Sequence, residues 1–160
     1  VEKTSMSRRT SRRQFLQTGA LVGIGSLAAA PRGAEPSAHG KTFRAGASAI
    51  DVSPRSFPVT ISGGFLEGTA DRVRDPLHAR CLVLDDGTTR VAIAVVDTLM
   101  MPREMLDRVK VLASKATGIA VERMLISATH THSAPSVMGA LGTGVDEAYA
   151  RLLPEKIVQG

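Results

Sequence analysis

Two apolar runs separated by an amphipathic helix are the strongest constraint that this 160-residue chain places on its own fold. The first, residues 90–96, reads Arg-Val-Ala-Ile-Ala-Val-Val, and the second, Arg123 to Ala128, carries Met124, Leu125 and Ile126. Between them, Met105, Leu106, Val109, Leu112, Ala113 and Ala116 recur at the helical period, which predicts a helix from Pro102 to Ala116. Pro102 suits its first turn and Gly118 its C-terminal cap. A strand, a helix and a second strand in this order close as a right-handed crossover, so the two strands are predicted to be parallel. Their unbroken apolar character predicts that both are largely buried.

The segment before the crossover predicts a hairpin. Leu77, Ala79, Cys81 and Val83 alternate with His78, Arg80, Leu82 and Leu84, and Asp85-Asp86-Gly87-Thr88 leads into the strand at Arg90. An Asp-Gly pair supplies the positive φ angles of a tight turn. Further upstream, Phe43 to Val52 alternates weakly and is predicted to be a first strand, ended by Ser53-Pro54. Residues 53–76 contain Gly63-Gly64, Gly68 and Asp75-Pro76 and read as loop. Gly63-Gly64 either brings backbone close to a ligand or simply turns the chain. After Pro135, a last helix is expected from Asp146, with Tyr149, Leu152 and Leu153 on one face and a break or kink at Pro154. The predicted fold class is therefore α/β: a mixed sheet with one β-hairpin and one parallel β-α-β crossover, helices packed on the sheet. The lone cysteine, Cys81, permits no intrachain disulfide and is expected to be a small buried hydrophobe.

The net charge of +5 raises a nucleic-acid partner, and its location removes that partner. Six of the twenty Lys and Arg residues, and only one of the fifteen acids, fall within residues 1–34. The remainder is formally neutral, and with aromatics at 3% and no Trp it offers no base-stacking platform. No nucleic acid is expected to bind.

The basic excess has another reading. Ser11-Arg12-Arg13-Gln14-Phe15-Leu16-Gln17 resembles the twin-arginine export motif, with Arg12, Arg13, Phe15 and Leu16 at its defining positions and Gln17 in place of its usual Lys. Thr18 to Ala30 then forms a mild apolar stretch, interrupted by glycines and too short to span a bilayer. Residues 1–34 are read as a twin-arginine signal peptide, cut after Ala28, and residues 35–42 as a linker. The expected partner is the twin-arginine export machinery, and the expected destination is the periplasm or the exterior. That route carries folded, often cofactor-loaded proteins, which mildly favours a metal.

The chemistry concentrates in Thr129-His130-Thr131-His132-Ser133-Ala134-Pro135, at the end of the second parallel strand. Ligands of α/β sheets bind at the carboxyl ends of strands. Asp97 follows the neighbouring parallel strand and should reach the same edge, so Asp97 and His130 are predicted neighbours, with Asp97 orienting a histidine. Two histidines separated by one residue can face one metal ion if the backbone bends there.

This segment resembles the Thr-His-Thr-His-Ser-Gly/Ala-Pro motif of the neutral (alkaline, non-lysosomal) ceramidases, and the hairpin and Val95-Val96-Asp97 fall where that family has matching elements. The resemblance covers most of residues 43–160, which are read as the N-terminal portion of a hydrolase domain. It implies Zn2+ as cofactor, His130 as a zinc ligand, His132 beside the metal as a catalytic, substrate-binding group, and hydrolysis of a ceramide-like lipid to sphingosine and a fatty acid. The family's remaining ligands, a His, a Glu and a Tyr, lie beyond the positions present here; His39 and His78 are poorly placed to replace them. A catalytic zinc needs about three protein ligands, so the chain is expected to be inactive by itself, as a truncated product or fragment. Peripheral membrane contact stays open.

Two alternatives remain: a non-catalytic exported domain that binds a metal or a partner through the same loop, and a relative acting on another amide or ester. Metallo-β-lactamase-like proteins are excluded, because Ala134 and Pro135 stand where their His-x-His-x-Asp-His pattern needs Asp and His. Barrel amidohydrolases carry His-x-His on a first strand, and several strands precede it here.

Overall fold

The computed structural model describes residues 42–160, so the leader with Arg12, Arg13, Phe15 and Leu16, the linker up to residue 41, and His39 lie outside the described residues. The order of elements is β1 (Arg44–Asp51), β2 (Val59–Ile61), β3 (Gly68–Ala70), β4 (His78–Asp85), β5 (Arg90–Val96), α1 (Arg103–Thr117), a 3-10 turn (Val121–Arg123), β6 (Met124–Ala128) and α2 (Glu147–Gln159).

Four strands form one sheet in the order β1-β4-β5-β6. β1 and β5 flank β4 in antiparallel register, from Arg44 opposite Asp85 on one side and from Ala79 opposite Val96 on the other. β6 joins β5 in parallel, with Ala92 opposite Met124 and Val96 opposite Ala128. The α/β class, the hairpin and the parallel crossover are as the sequence predicts. The hairpin connection is longer than a two-residue turn: Asp86 to Thr89 lie between the strands, with the Asp86 N–H donating to the Thr89 carbonyl at 3.2 Å. Gly87 alone in this turn takes a positive φ, at 85°.

Period-2 alternation sorts the sheet residues onto two unequal faces. Ala79, Ala94 and Val96 share a face with Val109 of α1 and with Tyr149, Leu153 and Ile157 of α2, and together these form the core. Val109 and Leu153 are only 1% exposed. The opposite face carries Leu82, Ile93 and Leu125 in register across three strands, and Leu125 is 59% exposed. The expectation that β5 and β6 are largely buried is thus corrected: most of their residues are only half-buried, because among the described residues both helices pack on one face of the sheet. Cys81 is half-buried rather than enclosed, and it lies against Gly160 at the end of α2.

Further departures lie in the elements around this sheet. The segment 53–76, read as loop, contains the β2–β3 hairpin; three-residue strands are too short to display a period. α1 starts one residue later than predicted, with Pro102 as its N-cap, and Gly118 ends it at φ 72°. α2 runs through Pro154 without a break. Proline removes one helical hydrogen bond, and here Leu153, Pro154 and Ile157 are all buried, so packing holds both halves in line. Asp146 caps this helix, its side chain accepting from the Tyr149 N–H at 3.0 Å. Of the residues predicted to share one face of this helix, Tyr149 and Leu153 are buried and Leu152 remains 61% exposed.

Candidate active site at the ends of β5 and β6

The parallel register brings the carboxyl ends of β5 and β6 together. The Thr129 N–H continues the ladder by donating to the Val96 carbonyl at 2.9 Å, and the Thr131 N–H returns to the Thr98 carbonyl at 3.1 Å. Between them, His130 adopts φ 64°, in the left-handed region that L side chains enter rarely. The backbone therefore bends at the histidine pair instead of continuing flat. The two rings meet edge to face, with centroids 4.9 Å apart and planes at 79°.

Main-chain carbonyls orient both rings. His130 Nδ1 lies 3.1 Å from the Leu99 carbonyl, and His132 Nδ1 lies 3.4 Å from the Gly63 carbonyl. A carbonyl has no proton to give, so each contact is a hydrogen bond only when Nδ1 carries the proton. That tautomer leaves Nε2 of each ring with its lone pair free, the arrangement that metal-binding histidines adopt when the other nitrogen is held by an acceptor. The contact to His130 is of ordinary length and the one to His132 is long.

Asp97 sits at the same sheet edge, but its carboxylate serves other groups. Oδ2 accepts from the His78 N–H at 2.9 Å and from Arg80 Nη1 at 2.8 Å. Burial raises the Asp97 carboxyl, and the His78 N–H, the Arg80 guanidinium and the Thr129 side chain together outweigh it, holding the group below the usual carboxylate range. Neither imidazole is among these partners. The structure thus brings His130 and His132 together, and it places Asp97 beside Thr129 rather than against a histidine ring. His78 stands at the start of β4, its Nδ1 3.4 Å from Arg80 Nη2.

Sequence reasoning missed Leu99 and undervalued Gly63. A Cβ added at Gly63 would land on the His132 carbonyl oxygen, so only glycine permits this approach. Gly63-Gly64 was the available signal; Leu99 left none, because its carbonyl and not its side chain does the work. The loop is further tied to the small sheet by a bridge between Ile61 and Pro135 and by the Ser136 N–H, which donates to the Thr60 carbonyl at 2.8 Å. A cleft of about 510 Å³ opens beside it, walled by Ile61, Leu77, Asp97, Thr131 and Ser133. Neither histidine lines that cleft.

The donor set fits a metal ion in part. Two imidazoles held at Nδ1 on one bent loop can offer two Nε2 donors, whereas a catalytic zinc takes about three protein ligands. Among the described residues, no group of three or more His, Cys, Asp and Glu side chains is placed to hold a metal.

Two solved structures share this architecture. The neutral ceramidase from Pseudomonas aeruginosa superposes with a TM-score of 0.61 at 21% identity, over 73% of this chain and 20% of that one. A ceramidase complexed with C2 gives a TM-score of 0.61 at 22% identity, over 72% of this chain and 20% of that one. The fold is ceramidase-like. The chain spans about a fifth of the length of these ceramidases, 20% in each case. No family model and no curated protein matches it.

Proposed function

We propose that this chain carries part of the active site of a ceramidase-like hydrolase, a zinc-dependent amidase acting on a ceramide-like lipid. The observation that carries the reading is the bent His130–His132 pair at the ends of β5 and β6, in a fold shared with neutral ceramidases. His130 supplies a zinc ligand through Nε2 while Leu99 holds its Nδ1. His132, held by Gly63, stands beside it to bind substrate or a second coordination position. Asp97 acts through Thr129 and the strand ends, fixing the edge from which the loop departs. When bound, zinc lowers the pKa of its water to about 7 and polarises a carbonyl. With two donors among the described residues, the chain is expected to bind zinc at micromolar concentration and not to turn over substrate.

The leader reading completes the proposal. Residues 1–34 direct export by the twin-arginine machinery, with Arg12, Arg13, Phe15 and Leu16 as the recognised residues, and residues 43–160 act in the periplasm or outside the cell. The lipid substrate makes peripheral membrane contact part of this picture. The donor count favours one second reading, a metal-binding domain with no catalysis of its own.

Zinc content tests the shared core of both. Equilibrium dialysis of the full chain against micromolar zinc should give about one ion per chain, reduced at least tenfold in affinity by His130→Ala. Absence of stoichiometric zinc, or equal binding by His130→Ala, would overturn the metal assignment. Release of fatty acid from a short-chain N-acylsphingosine, measured with a third zinc donor supplied on a longer chain, then separates the two readings.

A further inference from the structure

A second cavity lies away from the histidine loop. It occupies about 210 Å³ between the segment 52–59 and α2, and no residue of 129–135 lines it. Its walls are apolar: Pro54 and Phe57 on one side, Leu152 and Leu153 on the other. Leu152 is 61% exposed and Phe57 38% exposed, so two large hydrophobic side chains meet water where the cavity opens. At about 30 Å³ per water-sized group, the cavity admits about seven atoms of a chain.

Its charged residues are mostly of one sign. Arg55 and Lys156 line it from opposite sides, and neither belongs to an ion pair among the described residues. Arg55 lends only a long-range field to exposed Asp51. Lys156 stands four residues after Leu152 on α2, so a cation and an exposed apolar side chain share one stripe of the helix. The one acid in the lining, Asp146, is already bonded: one oxygen accepts from the Tyr149 N–H and the other from the Thr60 N–H, each at 3.0 Å. The Tyr149 hydroxyl is likewise engaged, donating to the Val52 carbonyl at 2.8 Å. What remains unpartnered is an apolar slot with two cations at its margin.

We propose that this cavity binds a medium-chain alkyl carboxylate. The tail of about six to eight carbons lies against Phe57, Leu152 and Leu153, and the carboxylate sits between Arg55 and Lys156. The inference is independent of the hydrolase reading, since it uses none of the same side chains.

Calorimetric titration of the full chain with octanoate, octylammonium and butyrate tests it. Octanoate should bind once per chain with a Kd on the order of 0.1–1 mM, the range expected for a ligand of about ten heavy atoms. Octylammonium and butyrate should each bind at least tenfold more weakly. Arg55→Glu and Lys156→Glu should each weaken octanoate about tenfold with an unchanged Tm, and Leu152→Ser should weaken it several-fold. Failure of octanoate to bind, equal binding of octylammonium, or indifference to both charge reversals would each overturn the assignment.

Discussion

Gly63 lies with its Cα against the main-chain carbonyl of His132, 69 residues later in the chain, while its own carbonyl faces His132 Nδ1 at 3.4 Å. One residue without a side chain thus sets both the height of the loop and the direction of the ring. Gly63→Ala forces a methyl group into a main-chain oxygen, which has no flexible end to swing away. We expect a loss of about 1–3 kcal/mol in urea unfolding, the usual range for overpacking. Micromolar zinc binding should fall with it. An alanine variant as stable as the parent would mean that the loop is not held there.

His130 presents the converse case, a side chain where the backbone favours none. At φ 64°, an L residue is disfavoured by about 1–2 kcal/mol relative to its right-handed conformation, and glycine is not. His130→Gly should therefore be more stable than His130→Ala by about 1 kcal/mol, or about 4 °C in Tm, although both abolish the ligand. Equal Tm values for the two variants would show that the left-handed bend relaxes once the imidazole is gone.

The legible parts of this molecule are those in which a period runs long enough to be counted. β4, β5, α1 and β6 each present four or more side chains in sequence order, and their order in the sheet follows from the hairpin and the crossover. The β2–β3 hairpin presents three residues per strand amid glycines and prolines, which no period can distinguish from loop. Pro154 misled because its cost is local while the burial of Leu153 and Ile157 that offsets it is tertiary. At the site, the residue types His130 and His132 were readable and their setting was not. The contacts to Leu99 and Gly63 are made by main-chain carbonyls, which carry no residue-specific signal. Asp97 was placed at the correct sheet edge by topology, but its partners depend on Arg80, one strand away.

Asp97 gives a pH-dependent prediction. Its carboxyl is held below the ordinary value in the folded chain, so its contribution is complete above about pH 4, the ordinary unfolded value, and fades as pH falls through the folded value. Asp97→Asn keeps an acceptor for the His78 N–H and removes the charge facing Arg80, whose side chain is 52% exposed and therefore partly screened. The variant should lose about 1 kcal/mol at pH 7. The gap should hold between pH 7 and pH 5 and narrow below about pH 4. Urea unfolding at pH 7, 5 and 3 measures it, and a gap that stays constant down to pH 3 would contradict the ionic role.

Tyr149 makes the contrasting prediction. Its buried hydroxyl donates to the Val52 carbonyl at 2.8 Å, joining α2 to the residue that follows β1. Burial raises the phenol, and the fields of Asp51, Asp97 and Asp146 raise it further. A raised phenol keeps its proton in the folded state, so the bond's contribution is complete at every pH below the ordinary value of about 10 and is lost only as pH rises through the raised folded value. Tyr149→Phe keeps the ring in the core and leaves the Val52 carbonyl without this donor, at a cost of about 1–2 kcal/mol. Unlike the Asp97 variant, it should show the same deficit at pH 4, 7 and 9. A deficit that shrank in acid would mean that Tyr149 acts through the neighbouring carboxylates instead of through Val52.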